Sequence, residues 1–224
     1  MRRLDYLFDG TSGAQVKRVV EVKVCGITSL GDAQMCVEVG VDALGLNFWP
    51  GTPRKVDAAV ATSIVQAFPE VEMVGVFVDA DLDEIRTLQR EVGFDWIQLH
   101  GSEAPETVAA LGPHCYKALG VAEAEDVARA RRYPGTRILL DARVPGAMPG
   151  GTGVVFDWEL AVTLAGEREL TLAGGLNPAN VAEAIAKVGP HRVDVASGVE
   201  SRPGVKDRSL VEAFVAGVPV EESI

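Results

Sequence analysis

The sequence contains few cysteines and no long apolar run, and both absences restrict where the protein can work. Its three cysteines, Cys25, Cys36 and Cys115, are odd in number and none lies in a Cys-x-x-Cys pair. They indicate free thiols in a reducing compartment rather than a disulfide framework. No uninterrupted apolar stretch approaches the roughly 18 residues that a membrane-spanning helix needs, and the first twenty residues lack the apolar core of a signal peptide. The sequence therefore predicts a cytoplasmic protein without a membrane partner.

Positive charge and histidine are also scarce, since the formal net charge is −11 and the chain has 3 histidines. A surface of this sign repels polyanions, and the scattered Lys and Arg residues form no basic patch, so a nucleic-acid partner is disfavoured. The net charge does not exclude a small anionic substrate, because a few oriented backbone N–H groups can dominate the local field.

The chain does show a regular alternation of short β-branched runs with amphipathic helical stretches, which is typical of a parallel sheet built from βα units. The predicted strands are residues 21–25, 43–48, 73–78, 96–100, 115–119, 138–141, 170–173 and 193–197. The predicted helices are residues 30–39, 58–68, 82–92, 105–111, 123–132, 158–165, 178–188 and 209–216. Eight such pairs predict a single (β/α)₈ TIM barrel over residues 21–224, with a doubly wound open sheet as the alternative.

Residues 1–20 precede this alternation and are predicted to be an N-terminal extension. Gly10 and Gly13 interrupt the segment, which favours a disordered appendage or a start codon assigned too early. An extra cap on the floor of the barrel remains the alternative.

Polar side chains fall at the carboxyl ends of the predicted strands, the end at which barrel enzymes carry their catalytic residues. The two-residue period of a strand places Lys23 and Cys25 on the inner face of the first strand, and Gln98 and His100 on that of the fourth. The polar residues at these ends are Cys25, Asn47, Asp79, His100, Asp141 and Ser197. We therefore expect an active site in the mouth of the barrel.

Small residues follow the seventh and eighth strands, at Gly174-Gly175 and at Ser197-Gly198. They let backbone N–H groups approach an anion closely, and two adjacent junctions of this kind form the usual phosphate site of a barrel. A tight turn is the structural alternative for either junction alone. Together they predict a phosphorylated small-molecule substrate.

Cys25 and Asp141 are the predicted proton-transfer groups. If Lys23 shares the face of Cys25, its ammonium would lower the pKa of the thiol and make Cys25 a usable base or nucleophile. Asp141 ends the apolar run 138–140, and apolar surroundings favour the neutral carboxyl group that a general acid needs. The glycine-rich residues 144–153 that follow could act as a lid.

Several motifs, taken in order, resemble those of the phosphoribosylanthranilate isomerase family of tryptophan biosynthesis. They are VKVCGIT at 22–28, QLHG at 98–101, LLD at 139–141, GTG at 151–153 with FDW at 156–158, LAGGL at 172–176, DVASGVE at 194–200 and GVKD at 204–207. The resemblance implies an Amadori rearrangement of N-(5′-phosphoribosyl)anthranilate to the 1-deoxyribulose 5-phosphate isomer, with Asp141 as acid and Cys25 as base. No electrons leave the substrate in such a reaction, so no cofactor or metal is expected.

The resemblance also implies further binding residues. Arg54 resembles the arginine that contacts the anthranilate carboxylate, although the family often has Ser before the Pro-Arg pair where this chain has Thr52. Gln98, His100 and Asp194 are expected to line the pocket and orient the substrate. Barrels of this family occur as monomers and homodimers, and both remain open.

Other functions fit the composition less well. A ribulose-phosphate epimerase needs metal-binding His and Asp residues on several strands, and indole-glycerol-phosphate synthase needs more acidic and Lys residues at the strand ends. A histidine-pathway isomerase uses two carboxylates and a doubly phosphorylated substrate, against which Cys25 and a single phosphate site argue. A catalytically inactive barrel that only binds a metabolite or protein is the alternative from another class.

Overall fold

The computed structural model describes residues 7–8, 15–16, 18–142 and 157–220. The predicted lid at 144–153, the GTG motif and Phe156 lie outside the described residues, and so do residues 221–224.

Eight parallel strands form a closed barrel. They are β1 (Glu21–Cys25), β2 (Ala43–Asn47), β3 (Glu72–Phe77), β4 (Trp96–Leu99), β5 (Cys115–Val121), β6 (Arg137–Ala142), β7 (Glu169–Leu172) and β8 (Arg192–Val195). Each strand pairs with the next, and β8 pairs with both β7 and β1, where Asp194 lies opposite Lys23. The predicted TIM barrel is therefore confirmed, and the open-sheet alternative is wrong.

Eight helices accompany the strands, one after each. They are α1 (Leu30–Val39), α2 (Ala58–Ala67), α3 (Leu82–Val92), α4 (Pro105–Leu111), α5 (Ala124–Ala130), α6 (Glu159–Ala165), α7 (Val181–Val188) and α8 (Arg208–Ala216). Carboxylate caps begin two of them, because Asp81 accepts a hydrogen bond from the N–H of Asp83 and Asp207 accepts one from that of Leu210.

The predicted start of α7 at Pro178 is wrong, since the helix begins at Val181. The Asn177 side chain accepts a hydrogen bond from the N–H of Ala179 and stabilises a turn ahead of the helix instead.

Alternate residues of each strand divide the apolar side chains into two clusters. The larger cluster lies between the strands and the helices and includes Val22, Val24 and Ile97. The smaller one fills the barrel and consists of Val74, Val76, Tyr116, Ala118, Leu139 and Ala173, with Cys25 and Trp96 against it. Thus the outward face of β1 is apolar and its inward face carries Lys23 and Cys25, as the strand period predicts.

Ion pairs form the floor of the barrel. Glu72 bridges Arg192, at 2.6 Å, and Arg137, at 2.9 Å. Arg192 also contacts Glu21, and Arg137 pairs with Glu169 at 3.1 Å. Burial disfavours the charged form of Glu72, but the two guanidinium groups outweigh it and hold the pKa of Glu72 below its usual value.

The end of the predicted extension belongs to the barrel. Val20 is buried, and Arg18 pairs with Asp42 at 2.8 Å and forms an isolated bridge with Val220. Leu7–Phe8 pairs antiparallel with Gln15–Val16, and the other residues up to 17 lie outside the described part of the chain. None of the helices in the described ranges is long and apolar enough to cross a membrane.

We expect Glu72→Gln to lower the free energy of unfolding by about 3 kcal/mol, because it breaks a buried ion pair. The folded-state pKa of Glu72 is below the unfolded value, so its contribution is complete above pH 4.5 and is lost as pH falls through the folded pKa. Urea unfolding at several pH values should show the difference between the two proteins shrinking below pH 4.5. The control Glu169→Gln, at a side chain that is 43% exposed, should cost less than about 1 kcal/mol. An equal cost in both variants would contradict the role of the floor network.

Candidate active site

A cavity opens at the carboxyl ends of the strands. Nine of the predicted site residues line it: Cys25, Arg54, Gln98, His100, Asp141, Gly174, Gly175, Asp194 and Ser197. Asn47, Thr52, Val76, Ala173, Leu176, Val195 and Ala196 complete the lining. A thiol and a carboxyl group therefore share one cavity with both glycine-containing junctions.

Gly198 is the predicted phosphate residue that does not line the cavity. A Cβ atom at this position would lie 2.0 Å from the carbonyl oxygen of Leu176. The glycine therefore lets the loop after β8 pack directly on the loop after β7.

Asp79 was expected among the chemical groups of the mouth, but it does not line the cavity. Its carboxylate accepts hydrogen bonds from the N–H and the hydroxyl of Ser102, both at 2.7 Å. These bonds hold the pKa of Asp79 below its usual value. Asp79 therefore stabilises the loop after β4.

Lys23 and Asp194 form a buried ion pair directly below Cys25. The Lys23 ammonium donates to Asp194 Oδ2 at 2.9 Å, and the lysine is fully buried. Burial by itself lowers the pKa of Lys23, but the Asp194 carboxylate outweighs it and the net shift is upward. Asp194 Oδ1 is buried and accepts no hydrogen bond from any residue that the structure describes.

The expected lowering of the Cys25 pKa is wrong. Burial raises the pKa of the thiol, and although Lys23 opposes this shift, it does not overcome it. The physical reason is that the ammonium is already neutralised by Asp194, whose own charge also raises the pKa of Cys25. The free protein therefore holds Cys25 mainly as a thiol near neutral pH.

Asp141 lies against His100, with Oδ2 at 3.3 Å from the imidazole Nε2. The other imidazole nitrogen, Nδ1, lies 3.3 Å from Gln98 Nε2. Gly174 has a φ of +89°, and a Cβ atom there would lie 2.2 Å from the N of Ala142 and 2.9 Å from Asp141 Oδ1. Only glycine can therefore take this position without displacing the carboxyl group.

Arg54 enters the cavity with one edge of its guanidinium already bound. Its Nε and Nη2 donate to the two carboxylate oxygens of Glu200 at 2.9 and 2.8 Å. Burial disfavours the charged form of Glu200, but Arg54 and Lys206 outweigh it and lower its pKa. A ligand carboxylate would meet the remaining edge, formed by Nη1 and Nη2.

Lys206 connects three parts of the site through its buried ammonium. It donates to the carbonyl of Cys25 at 2.7 Å, to that of Ala196 at 3.1 Å, and to Glu200 at 2.9 Å. The ends of β1 and β8 and the support of Arg54 thus share one cation. Lys206 belongs to the GVKD motif, but its contacts are 181, 10 and 6 residues away in sequence, so no local pattern indicated them.

Backbone N–H groups at the two junctions are available to a ligand. Across residues 18–142 and 157–220, no oxygen accepts a hydrogen bond from the N–H of Gly174, Gly175 or Ser197. Gly174 and Gly175 both have positive φ angles, +89° and +66°, which glycine adopts at little cost. The junctions are thus suited to an anion. In the described part of the chain, the site included, no group of three or more His, Cys, Asp or Glu residues could hold a metal ion.

Comparison with known proteins shows the family of this chain. The family model described as N-(5′-phosphoribosyl)anthranilate (PRA) isomerase matches residues 22–217. An N-(5′-phosphoribosyl)anthranilate isomerase of Myxococcus xanthus is 50% identical over 88% of this chain and 94% of its own length.

Solved structures agree with that family. One shows monomers generated from the dimeric phosphoribosylanthranilate isomerase of Thermotoga maritima; it has a TM-score of 0.78 and 38% identity, and covers 88% of this chain and 97% of its own. Another is a phosphoribosyl anthranilate isomerase in complex with reduced 1-(o-carboxyphenylamino)-1-deoxyribulose 5-phosphate. It also has a TM-score of 0.78 and 38% identity, with coverage of 88% and 97%.

The raised pKa of Cys25 predicts slow alkylation by iodoacetamide, because only the thiolate reacts. Peptide mass spectrometry should give a rate that rises with pH to a midpoint above 9.0 in the folded protein, against about 8.5 in urea. Asp194→Asn should lower the midpoint, since it leaves the Lys23 ammonium free to stabilise the thiolate. A folded-state midpoint at or below that in urea would contradict the effect of burial.

Proposed function

The chain belongs to the N-(5′-phosphoribosyl)anthranilate isomerase family, and from that membership we propose that the cavity performs the Amadori rearrangement of the substrate by general acid–base catalysis. The product is 1-(2-carboxyphenylamino)-1-deoxyribulose 5-phosphate. Membership makes the protein an aldose–ketose isomerase of tryptophan biosynthesis and decides against the epimerase, synthase and histidine-pathway alternatives. The observation that carries the mechanism is that Cys25 and Asp141 line the same cavity beside backbone N–H groups that have no hydrogen-bond acceptor among the described residues.

Asp141 is the proposed general acid of the first step. Its proton passes to the ring oxygen of the ribose, and the bond from that oxygen to C1′ breaks as the lone pair of the anthranilate nitrogen forms a C=N bond. The ring-opened intermediate is a protonated Schiff base. The burial of Asp141, which is 5% exposed, keeps bulk water away from the proton to be transferred.

Cys25 is the proposed base of the second step. It takes the proton from C2′, the C–H electrons form a C1′=C2′ bond, and the C=N electrons return to nitrogen. The resulting enolamine then tautomerises to the ketone. Because burial raises the pKa of the thiol, Cys25 must first lose its own proton to solvent at the open mouth of the cavity, and the positive charge of the Schiff base beside it favours the resulting thiolate.

The remaining lining residues hold the two ends of the substrate. The phosphate accepts hydrogen bonds from the N–H groups of Gly174, Gly175 and Ser197. Gly198 lets the loop after β8 pack against the loop after β7, which brings these N–H groups together. The free edge of Arg54 pairs with the anthranilate carboxylate. Asp194 Oδ1, which is buried without a partner among the described residues, accepts a hydrogen bond from a ribose hydroxyl.

The compartment and the oligomeric state of the protein are proposed as well. The three cysteines are free, which supports a reducing, cytoplasmic compartment. Because the Thermotoga maritima relative is described as dimeric and has also been solved as monomers, we propose a monomer or a homodimer.

We expect Cys25→Ser and Asp141→Asn each to lower kcat by about a hundredfold to ten-thousandfold, the usual contribution of a general acid or base. Turnover is followed by the fluorescence of the anthranilate group, with phosphoribosylanthranilate generated in situ. The circular dichroism spectra should not change. Asp79→Asn is the matched control, because it alters a carboxylate near the mouth that does not line the cavity, and its kcat should stay within about twofold.

Two outcomes count against this proposal. If the wild-type protein consumes the substrate no faster than the spontaneous reaction, the barrel is a binding protein rather than an enzyme. If either variant loses its fold, that residue is structural, and its catalytic role is withdrawn.

Arg54→Lys should raise KM for phosphoribosylanthranilate by about tenfold, because a lysine cannot hold Glu200 and a ligand carboxylate with one planar fork. The same variant should change KM for N-(5′-phosphoribosyl)aniline, which lacks the carboxylate, by much less. Steady-state kinetics with both substrates provide the measurement. Equal increases would show that Arg54 supports the loop and does not bind the carboxylate.

A further inference from the structure

Four side chains form a continuous line from the interior of the barrel to its mouth. Tyr116 donates a hydrogen bond from its hydroxyl to Gln98 Oε1 at 2.9 Å. Gln98 Nε2 lies 3.3 Å from His100 Nδ1, and His100 Nε2 lies 3.3 Å from Asp141 Oδ2. Tyr116 and Gln98 are each 1% exposed, so solvent does not compete for these bonds.

The direction of every bond in this line follows from the phenol. Burial raises the pKa of Tyr116, so the hydroxyl keeps its proton, and Gln98 Oε1 is its acceptor among the described residues. The amide oxygen therefore faces Tyr116, and the amide NH₂ faces the imidazole of His100. An NH₂ group only donates, so Nδ1 must accept, and the proton of the neutral ring lies on Nε2.

The backbone of His100 is held firmly enough to preserve this arrangement. Its N–H donates to the carbonyl of Phe77 at 2.7 Å. From outside the barrel, the buried ammonium of Lys117 donates to the carbonyls on either side of His100, those of Leu99 at 3.0 Å and Gly101 at 2.7 Å. The ring is thereby fixed between Gln98 and Asp141.

The tautomer determines which oxygen of Asp141 carries the acidic proton. With the proton on Nε2, His100 donates to Oδ2, and a proton on the carboxyl group must occupy Oδ1. Asp141 Oδ1 lies beside Gly174, because a Cβ atom built on that glycine would be 2.9 Å from it. Gly174 in turn lines the cavity. In the opposite tautomer, Nε2 would accept the proton of Asp141 and turn it away from the substrate.

We propose that Tyr116 is a positioning residue that acts through Gln98 to fix the Nε2–H tautomer of His100, and so reserves the acidic proton of Asp141 for Oδ1. The step that this proton serves, its transfer to the ribose ring oxygen, rests on the proposed function. The tautomer itself does not.

Nitrogen NMR of the [¹⁵N]histidine-labelled protein tests the tautomer directly. The chain has 3 histidines, and His114→Gln and His191→Gln assign the signals. We expect His100 in the wild-type protein to be protonated at Nε2 and unprotonated at Nδ1. Gln98→Glu places an acceptor opposite Nδ1 and should leave the ring protonated at both nitrogens. Tyr116→Phe frees the amide to rotate, so a large fraction of the Nδ1–H tautomer should appear.

Kinetics provide the second readout. Tyr116→Phe should lower kcat by about tenfold, the loss expected when one molecule in ten keeps the competent tautomer, while KM stays within about twofold. The matched control is Tyr133→Phe, which removes a buried phenol hydroxyl that donates to the carbonyl of Glu103. Its His100 signals and kcat should equal those of the wild type.

The outcomes separate this proposal from the proposed function. An Nδ1-protonated His100 in the wild type overturns the proposal, as does a Gln98→Glu protein whose Nδ1 stays unprotonated. A folded Tyr116→Phe protein with the wild-type tautomer shows that Gln98 is oriented without the phenol, and this removes the role of Tyr116. The NMR measurement needs no substrate, so a protein with the expected tautomer but no turnover fails only the proposed function.

Discussion

The ion pair between Lys23 and Asp194 lies across the seam at which the last strand of the barrel meets the first. The two residues are direct partners in the register of β8 and β1, and the strand period places the next inward residues, Cys25 and Ala196, at the mouth. Closure of the barrel and assembly of the site thus depend on the same contact. The pair also explains the chemistry of the thiol: burial raises the pKa of Cys25, and the Asp194 carboxylate offsets part of the lowering that Lys23 causes.

The other cations of the site are also paired with a buried carboxylate. Lys23 pairs with Asp194, and Arg54 and Lys206 both pair with Glu200. Three cations and two carboxylates leave these pairs with one net positive charge rather than three. In the proposed function, recognition of the phosphate falls mainly to backbone N–H groups, which are fixed dipoles that titrate at no accessible pH. This arrangement reconciles a net charge of −11 with a substrate that is itself an anion.

The sequence predicts this structure best where a local period or a special residue decides. The alternation along β1 and β4 predicts which side chains face inward, and the paired glycines after β7 mark a backbone with positive φ. Properties that depend on distant partners are not predictable in this way. Glu200 lies 146 residues from Arg54, so the sequence does not show that Glu200 binds one edge of the guanidinium. Asp194 lies 171 residues from Lys23, so the raised pKa of the Cys25 thiol could not be inferred either. The predicted start of α7 at Pro178 was wrong for another reason. The side chain of Asn177 can stabilise a turn as readily as the start of a helix.

Lys206 has a consequence for how the protein becomes active during its synthesis. Cys25 leaves the ribosome before most of the barrel, but the ammonium that holds its carbonyl belongs to a residue 181 positions later. The strand that completes the barrel seam is also made late. A nascent chain therefore carries the thiol through the synthesis of the intervening strands without the groups that define its environment, and it gains a finished cavity only when β8 and Lys206 have emerged.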